Sequence, residues 1–199
     1  MFTQLRYGIA LFLVVFAPAS VMFWVLVHPL AGFWRRVGYR WGYAAGFALS
    51  IAMALAAYLT RGWIAATDLG PYMFTTGPGL LLLVVAGSLR RHLQKQLRGD
   101  IMFGLPELAP ARYPGRMLTD GIYARLRHPR YAQLAIALLG WALLANHVAG
   151  YLALLSVLVA LAVIIPLEER ELVERFGESY DAYRRSVPAL IPRWRTSRR

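Results

Sequence analysis

Five long apolar segments, separated by connectors rich in arginine, limit the folds that this chain can adopt. The segments are Tyr7 to Leu30, Trp41 to Leu59, Tyr72 to Leu89, Tyr131 to Ala145 and Gly150 to Leu167. The first three reach the roughly 20 residues that a helix needs to cross a bilayer, and the last two are short. With 58% apolar residues, the chain is too apolar for an ordinary soluble domain. The sequence therefore predicts an all-α, polytopic membrane helical bundle of five transmembrane segments, with a short C-terminal helical hairpin and a cytoplasmic tail.

The basic residues set the predicted orientation of these segments. In a five-span arrangement, every Lys and Arg except Arg6 and Arg61 falls on one side. Because such residues collect in cytoplasmic loops, we expect the N-terminus outside and the C-terminus in the cytoplasm.

The net charge of +12 also raises the question of a nucleic-acid partner. Its placement between apolar segments argues against nucleic acid and for contact with anionic lipid headgroups on the cytoplasmic face.

The first apolar segment has some features of a signal peptide. Arg6 precedes it, and Ala17-Pro18-Ala19-Ser20 is similar to a cleavage site. The apolar run continues as far as Val27, which is longer than the apolar region of a signal peptide. We therefore expect an uncleaved first span.

The chain contains no cysteine, which excludes disulfides, thiolate catalysis and Cys-based metal sites. No two of its four histidines lie at metal-ligand spacing, so no metal site is predicted.

We expect residues 1–98 to form a three-span membrane scaffold. Residues 99–199 would supply a cytoplasmic loop, the membrane hairpin and the tail, which together form the core of the functional site.

Ionisable residues flank the predicted hairpin. Arg127-His128-Pro129-Arg130-Tyr131 precedes it, and Glu168-Glu169 ends it. Charged groups at such places are costly and usually functional. Pro129 suits the first turn of a helix, whose free amides and positive dipole end can hold an anion. The alternative is an ordinary juxtamembrane cap whose Arg127 and Arg130 bind lipid phosphate.

The two glutamates are adjacent on the predicted fifth helix, so their side chains point about 100° apart and only one can face a pocket squarely. A carboxylate can accept hydrogen bonds from both hydroxyls of a ribose. The alternative is a solvated helix end. Glu171 and Glu174 fit that alternative, since each is spaced four residues from an arginine. Gly177 predicts a helix stop, followed by a short amphipathic helix through Tyr183.

These elements form an ordered set that resembles a known family. In order they are Leu118-Thr119-Asp120-Gly121-Ile122-Tyr123, Arg127-His128-Pro129-Arg130-Tyr131, Glu168-Glu169, Phe176-Gly177-Glu178-Ser179-Tyr180, Tyr183, Val187-Pro188 and Ile191-Pro192. The set, which covers roughly residues 115–194, is similar to the isoprenylcysteine carboxyl methyltransferase and phospholipid methyltransferase group. These are integral-membrane enzymes that use S-adenosylmethionine (SAM). The resemblance implies SAM as cofactor and a lipidic or apolar methyl acceptor that enters from the bilayer.

The resemblance also implies which residues contact the cofactor. Carried over position by position, they are Gly115, Arg116, Met117, Leu118, Tyr123, His128, Pro129, Arg130, Tyr131 and Glu168, and we add Glu169 to this set. The tail is expected to fold back over the cofactor. The chain offers no convincing general base, and His128 and Tyr131 are candidates by position alone.

One departure from the family pattern concerns the acceptor. Carboxyl methyltransferases of this group carry an arginine about one turn before the first glutamate, where it faces the substrate carboxylate. Here that position is Ile164. A carboxylate needs a cation or hydrogen-bond donors, so carboxylate methylation is in doubt unless Arg127, Arg130 or Arg170 takes the role.

Two other functions remain open. The first keeps methyl transfer and changes the acceptor to a phospholipid amine or a small thiol, which Ile164 favours. The second is a membrane protein without catalysis, whose basic face docks to anionic lipid or to a partner. SAM affinity separates the two classes, because only the enzyme requires it.

Overall fold

The computed structural model describes residues 2–64, 67–70, 73–96, 105–109 and 111–192. The helices are α1 (Phe2–Val27), α2 (Ala31–Val37), α3 (Tyr39–Leu59), α4 (Arg61–Ile64), α5 (Met73–Gln94), α6 (Leu105–Leu108), a 3-10 helix (Gly121–Ala124), α7 (Pro129–Ala145), α8 (Val148–Phe176) and α9 (Glu178–Ser186). Within these residues, the β pairing is confined to an isolated bridge between Asp68 and His147. The prediction of an all-α fold is confirmed.

Some sequence predictions fall outside the described residues. They are the start of the third span at Tyr72, the boundary between residues 98 and 99, the start of the predicted cytoplasmic loop, and the basic tail after Pro192. The division of the chain into a scaffold and a functional core therefore stays a prediction.

Within the described residues, four helices are long and apolar enough to cross a membrane. They are α1, α3, α5 and α8. The fourth predicted segment forms α7, which has 17 residues and is shorter than these four. The chain is thus an integral membrane protein with a polytopic helical bundle, and the count of five spans stays a prediction.

The fifth predicted segment is longer than the sequence pattern indicates. Helix α8 has 29 residues and continues past the expected end at Leu167 as far as Phe176. Its last ten residues are mainly charged or apolar side chains with good helix propensity, and between Pro166, which lies inside the helix, and Gly177 there is no further breaker. The predictions that the second helix of the hairpin is short and that the glutamate pair ends it are therefore wrong. The predicted stop at Gly177 is confirmed, and α9 follows it directly.

Helix α1 lies at the centre of the bundle and packs against α3, α7 and α8. Its residues Leu13, Val14 and Ala17 are buried, and they share one core with Ala142 of α7 and Ala153 of α8. Small side chains let helix backbones approach closely, which is how membrane helices gain packing energy. The core therefore fixes α7 and α8, which carry the ionisable residues of the hairpin, against α1.

Helix α5 supports α7 through a close crossing of two glycines. A Cβ atom on Gly79 would lie 2.9 Å from the carbonyl oxygen of Gly140, and a Cβ on Gly140 would lie 3.0 Å from that of Gly79. No side chain fits into such a gap without a backbone shift. This crossing holds α7 beside α5, so α7 packs against α5 as well as against α1 and α8.

The end of the bundle that contains Arg6, Asp68, Asn146 and His147 is called the Arg6 end. Arg6 is buried and forms an ion pair with Asp68. Its Nε donates to Ala145 O at 3.0 Å, and its Nη2 donates to Asn146 O at 3.3 Å. A cation here satisfies carbonyls that the C-terminus of α7 leaves without intrahelical partners.

Candidate active site

Helix α7 begins at Pro129, which confirms the predicted start, and His128 occupies its N-cap. Arg127 and His128 form the elbow that leads into the helix. The backbone amide of Arg127 donates to Pro188 O at 2.9 Å. The amide of His128 donates to Ala189 O at 3.0 Å. The C-terminal tail therefore holds the elbow through the main chain as well as through side chains.

The start of α7 has fewer free amides than its sequence suggests. The N–H groups of Tyr131 and Ala132 both donate to the carbonyl of His128 at 3.1 Å. Pro129 has no N–H to offer. An anion at this helix start would therefore depend on the side chains around the elbow for its hydrogen bonds.

The two adjacent glutamates have different surroundings. Glu169 is buried and accepts hydrogen bonds from Arg127 Nε at 2.8 Å and from His128 Nε2 at 3.0 Å. The Nη2 atom of Arg127 adds an ion-pair contact of 2.7 Å. Glu168 is half-buried and accepts a hydrogen bond of 2.7 Å from Tyr131 Oη. Glu169 is thus enclosed by protein, whereas Glu168 faces open space.

The contact with Glu169 fixes the proton on the His128 ring. An ionised carboxylate only accepts hydrogen bonds, so Nε2 of the neutral ring carries the proton. The other ring nitrogen, Nδ1, lies 3.8 Å from Glu168 Oε2. The ring also stacks on Tyr131, with centroids 5.6 Å apart. His128 is therefore held at Nε2 and on one of its faces.

Arg127 joins three parts of the chain. Besides Glu169 of α8, its Nη1 donates to Arg184 O at 2.7 Å and to Val187 O at 2.6 Å. These carbonyls lie at the C-terminus of α9, where a cation is favourable. Arg127 thus holds the elbow, α8 and the tail together.

The tail folds back over the elbow through α9. Tyr180 and Tyr183 lie three residues apart on one face of this helix, and Tyr183 Oη donates to Tyr123 O at 2.7 Å. Burial raises the pKa of Tyr123 and of Tyr183 to about 12. Burial raises the pKa of Tyr180 as well. All three hydroxyls are therefore neutral at physiological pH and unsuited to act as bases.

The elbow, α8 and the tail enclose a space that is called the Glu168 cavity. Its volume is about 110 Å³. Its walls are Pro106, Gly115, Arg116, Met117, Leu118, Tyr123, Arg127, His128, Glu168, Leu172, Arg175, Phe176, Tyr180 and Tyr183. Gly115 has a positive φ of 67°, and a Cβ there would lie 3.1 Å from Pro106 Cβ. A larger residue at this position would be strained and would crowd the wall.

The structure brings together most of the residues that the sequence assigned to the cofactor. Those that line the Glu168 cavity are Gly115, Arg116, Met117, Leu118, Tyr123, His128 and Glu168. Pro129, Arg130, Tyr131 and Glu169 do not line it. Tyr131 contacts the cavity wall through its hydrogen bond to Glu168 and through its stacking on His128, and Glu169 lies behind that wall.

Sequence reasoning missed the lower part of this wall. Leu172, Arg175 and Phe176 follow Glu168 at helical spacing and extend its face along α8. The signal that could have found these residues is the stop at Gly177. A helix that continues to Gly177 places them on the same face as Glu168. Tyr180 was read as part of a motif without a position in the site.

Glu171 does not form the surface pair that the sequence suggested. Its Oε1 lies 3.2 Å from His28 Nδ1, and its side chain is only 11% exposed. Arg175 donates to Pro106 O at 2.9 Å instead. The interpretation of Glu171 as a solvated partner of Arg175 is wrong, since the end of α1 covers this side of α8.

A second space, called the Ile164 cavity, lies between α1, α7 and α8. Its volume is about 210 Å³. Its walls are Ser20, Val21, Trp24, Arg130, Tyr131, Gln133, Leu134, Leu161 and Ile164. Ile164 is fully buried. The wall from α1 belongs to the half of the chain that the sequence treated as a scaffold.

The arginines that could replace the one missing at Ile164 have different positions. Arg127 is held by Glu169 and by the tail carbonyls. Arg170 is exposed and lines neither cavity. Arg130 lines the Ile164 cavity, with its guanidinium 5.6 Å from the centre of the Trp24 ring.

One hydrogen bond connects the two cavities. Tyr131 lines the Ile164 cavity, and its hydroxyl donates to Glu168, which lines the other cavity. The two spaces are therefore neighbours, and this pair of side chains lies between them. A group in one space and a group in the other would meet at Tyr131 and Glu168.

Comparison with known proteins identifies the family. The sequence profile described as phospholipid methyltransferase matches residues 74–179, which is more than half of the chain. The chain belongs to the phospholipid methyltransferase family. The matched region begins in α5 and includes both the elbow and the glutamate pair, so the resemblance seen in the sequence is confirmed.

Curated relatives in this family share parts of the chain. Protein-S-isoprenylcysteine O-methyltransferase of Schizosaccharomyces pombe is 44% identical over 77 residues, or 38% of this chain and 33% of that protein. Methanethiol S-methyltransferase of Pseudomonas deceptionensis is 31% identical over 141 residues, or 66% of this chain and 50% of that protein. Methanethiol S-methyltransferase 1 of Bradyrhizobium diazoefficiens is 39% identical over 85 residues, or 42% of this chain and 28% of that protein.

The chain therefore spans half or less of the length of these relatives. No solved structure matches the chain significantly. Membership of the family implies a methyl donor.

Proposed function

We propose that this protein transfers a methyl group from SAM to an apolar acceptor that carries a soft or neutral nucleophile, such as a thiol or an amine. The observation that carries the proposal is the 2.7 Å hydrogen bond between Tyr131 and Glu168, which connects the two cavities. In this assignment the Glu168 cavity holds the cofactor, and the Ile164 cavity holds the acceptor.

The residues present fit the cofactor. Glu168 offers a carboxylate to the ribose hydroxyls, and Leu118, Leu172 and Phe176 offer an apolar wall to the adenine. The hydroxyl of Tyr180 is buried and has no hydrogen-bond partner among the described residues. A buried hydroxyl without a partner is costly, so its position in the wall suits a polar ligand atom.

When bound, SAM would supply a methyl group on a positively charged sulfur: a nucleophile opposite that sulfur would bond to the methyl carbon as the carbon–sulfur bond breaks and S-adenosylhomocysteine leaves. The chain's part is to hold the nucleophile near that position, since orientation provides much of the rate. Glu168 favours the positive charge by Coulomb attraction. Tyr131 can accept a hydrogen bond from the acceptor while it donates to Glu168. The tail excludes water from the cavity.

The chemistry of the Ile164 cavity supports an acceptor without a full negative charge. Its walls from Val21, Leu134, Leu161 and Ile164 are apolar. Desolvating a carboxylate in such surroundings is costly. Two of the relatives compared are named for methyl transfer to the sulfur of methanethiol, which suits a soft nucleophile.

Arg130 favours a second candidate, a carboxylate acceptor. It lines the Ile164 cavity and could hold an anion there in place of the missing arginine. A relative is named for methylation of an isoprenylcysteine on oxygen. A phospholipid amine is a further acceptor of the same chemical class as the thiol, and the assay below includes all three.

The cofactor is tested by calorimetry of the detergent-purified protein with SAM. We expect Glu168→Gln to weaken SAM binding by about 1.5–3 kcal/mol, because a charged hydrogen bond to the ribose is lost. Glu174→Gln is the matched control, since it removes an exposed carboxylate from the same helix. Equal losses from both variants would refute the assignment, and no SAM binding by the unmodified protein would favour the docking function without catalysis.

The acceptor is tested by labelled methyl transfer to an alkanethiol, a phosphatidylethanolamine and a farnesylcysteine analogue. We expect poor turnover of the farnesylcysteine analogue, and Ile164→Arg should raise it. Robust turnover of that analogue by the unmodified protein, lost in Arg130→Gln and retained in Arg170→Gln, would show that Arg130 holds the carboxylate. The soft-nucleophile assignment would then be wrong.

The proposal places the elbow and the cofactor in the cytoplasm, because almost all basic residues lie at that end of the predicted spans. A reporter fused after Arg199 should be active only in its cytoplasmic form. Activity on the opposite side would remove the five-span arrangement and the proposed access of the cofactor. Residues 99–199 would then require a new assignment as the functional core.

A further inference from the structure

A third space, called the Lys95 cavity, lies at the C-terminal end of α5. Its volume is about 520 Å³, and the described residues in its walls are His92, Lys95, Gln96, Gly121, Ile122 and Arg125. It shares no wall residue with the Glu168 cavity or the Ile164 cavity. Methyl transfer as proposed above does not use it.

The described residues in the walls of this cavity carry two cationic side chains, Lys95 and Arg125, and no acidic one. Among the described residues, Lys95 and Arg125 have no ion-pair partner, and neither has His92. His92 Nδ1 donates to the carbonyl of Ser88 at 2.8 Å, which leaves the neutral ring only an acceptor, Nε2, so Lys95 and Arg125 are the donors for an anion. Cations that converge without counter-charges attract an anion.

The wall opposite α5 is fixed by Gly121. Its φ of 59° lies in the left-handed region, which favours glycine. A Cβ at this position would collide with the amide of Gln96, so the side chain of Gln96 can lie over the 3-10 helix only because residue 121 is glycine. The end of α5 and the 3-10 helix are therefore closely fitted, and Arg125 follows directly after that helix.

The position of the cavity indicates the class of anion. The apolar side chains of Leu81, Val84 and Val85 are exposed on α5, as expected of a helix that faces lipid. The Lys95 cavity follows at the end of that span, where lipid phosphates lie. Basic pockets at this depth bind anionic headgroups.

We propose that the Lys95 cavity is a binding site for a phosphate-bearing anion, held by Lys95 and Arg125. The membrane position makes the headgroup of an anionic lipid its source. A bound phosphate would lie between Lys95 at the end of α5 and Arg125 after the 3-10 helix, and its negative charge would hold these two segments together.

The site adjoins the proposed cofactor wall. Ile122 lines the Lys95 cavity, and the next residue, Tyr123, lines the Glu168 cavity and accepts the hydrogen bond of Tyr183. Phosphate bound behind the 3-10 helix would therefore steady this part of the cofactor wall. This consequence rests on the proposed function, whereas phosphate binding itself does not.

Native mass spectrometry of the full chain, extracted from vesicles of phosphatidylcholine with phosphatidylglycerol, tests the site. We expect the double variant Lys95→Ala/Arg125→Ala to retain phosphatidylglycerol at least about tenfold more weakly than the unmodified protein. Arg90→Ala/Arg91→Ala is the matched control, because it removes two exposed charges from the same helix outside the cavity. Equal losses from the two double variants would overturn the proposal.

Two further measurements on the unmodified protein make the test independent of any folding defect. A photoreactive anionic lipid should crosslink to the peptides that contain Lys95 and Arg125, and crosslinking confined to other segments would overturn the site. Inorganic phosphate in excess should leave lipid retention unchanged if the lipid is the source. Displacement by phosphate alone would show that free phosphate is the ligand of the same site.

Effects on the cofactor are measured separately. If the lipid steadies the wall at Tyr123, SAM should bind more tightly in vesicles with phosphatidylglycerol than in phosphatidylcholine alone. This gain should disappear in Lys95→Ala/Arg125→Ala and remain in Arg90→Ala/Arg91→Ala. Lipid retention without any SAM binding would refute the proposed function and leave the anion site intact.

Discussion

At the Arg6 end of the bundle, Arg6 pairs with Asp68 and donates to the carbonyls that end α7. At the other end, which contains the elbow and the glutamates and is called the elbow end, Arg127 pairs with Glu169 and donates to the carbonyls that end α9. Each arginine thus ties a carboxylate to a helix C-terminus, and the two lie at opposite ends of α7, about 25 Å apart for a helix of this length.

The two ends differ in whether an ionisable residue next to the ion pair lines a cavity. At the Arg6 end, the residues that form the cluster line none of the three cavities. At the elbow end, a second carboxylate, Glu168, stands next to the paired one and faces the Glu168 cavity. The comparison teaches that an arginine–carboxylate pair forms a tertiary clamp, which holds distant elements together, and that the neighbouring carboxylate outside the clamp lines the proposed cofactor site.

The largest effect is expected from removing the clamp at the elbow end. Glu169→Ala leaves Arg127 and His128 without their shared acceptor, and breaking such a buried pair costs about 3–5 kcal/mol. Thermal unfolding in detergent should show a large fall in the melting temperature. Unchanged stability with SAM binding abolished would show instead that Glu169 contacts the cofactor, as the sequence suggested.

The clamp at the Arg6 end should matter for stability alone. Arg6→Met leaves the carbonyl of Ala145 without its side-chain donor and removes one donor from Asp68 and one from the carbonyl of Asn146, at a cost of about 1–3 kcal/mol. Arg61→Met is the control, because Arg61 donates to Tyr58 O within its own helical region. SAM affinity, measured on the folded fraction, should be unchanged in both variants. A selective loss of affinity in Arg6→Met would contradict the separation of the two ends.

At Tyr180 we expect smaller effects of opposite direction on stability and on SAM affinity. Its hydroxyl has no partner among the described residues, so Tyr180→Phe should leave stability unchanged or raise it slightly. If the hydroxyl meets the cofactor, the same variant should weaken SAM binding by about 0.5–1.5 kcal/mol. Calorimetry and thermal unfolding of one preparation measure both. Lower stability with unchanged affinity would show that the hydroxyl has a structural role.

The smallest effect concerns pH. Hydrogen bonds from the Gly70 amide and from Arg6 hold the pKa of Asp68 below its usual range. Because the pKa is lower in the folded state, the stabilisation is present above the ordinary aspartate pKa of about 4 and is lost as the pH falls below it. Unfolding at a series of pH values should show this loss in the unmodified protein and a smaller one in Asp68→Asn. Identical profiles would mean that Asp68 does not contribute.

Local sequence signals predicted the elbow end well. Pro129 begins α7 because its missing N–H costs nothing there, and Gly177 ends α8 before α9. The sequence pattern does not reveal the extension of α8 beyond Leu167, because charged residues after an apolar run indicate the end of a span. Helix propensity continues across the membrane boundary, so apolar length and helix length need not agree.

Contacts between distant residues could not be predicted. Glu171 had a local arginine at the right spacing, yet it pairs with His28, 143 residues away in sequence. Arg6 had no visible partner in the sequence and pairs with Asp68 across 62 residues. In both cases the partner is set by how α1 packs on the rest of the bundle, and spacing along one helix carries no information about that packing.

The sequence by itself determined the class of fold, the start of α7, the stop at Gly177, the ordered family motif and the general position of the glutamate pair. Apolar length, proline and glycine act locally, so they can be read from the chain. Only the tertiary structure decided that Glu169 is enclosed while Glu168 faces a cavity. Adjacent helical side chains point about 100° apart, and which of them turns inward depends on where α7, the elbow and the tail lie against α8.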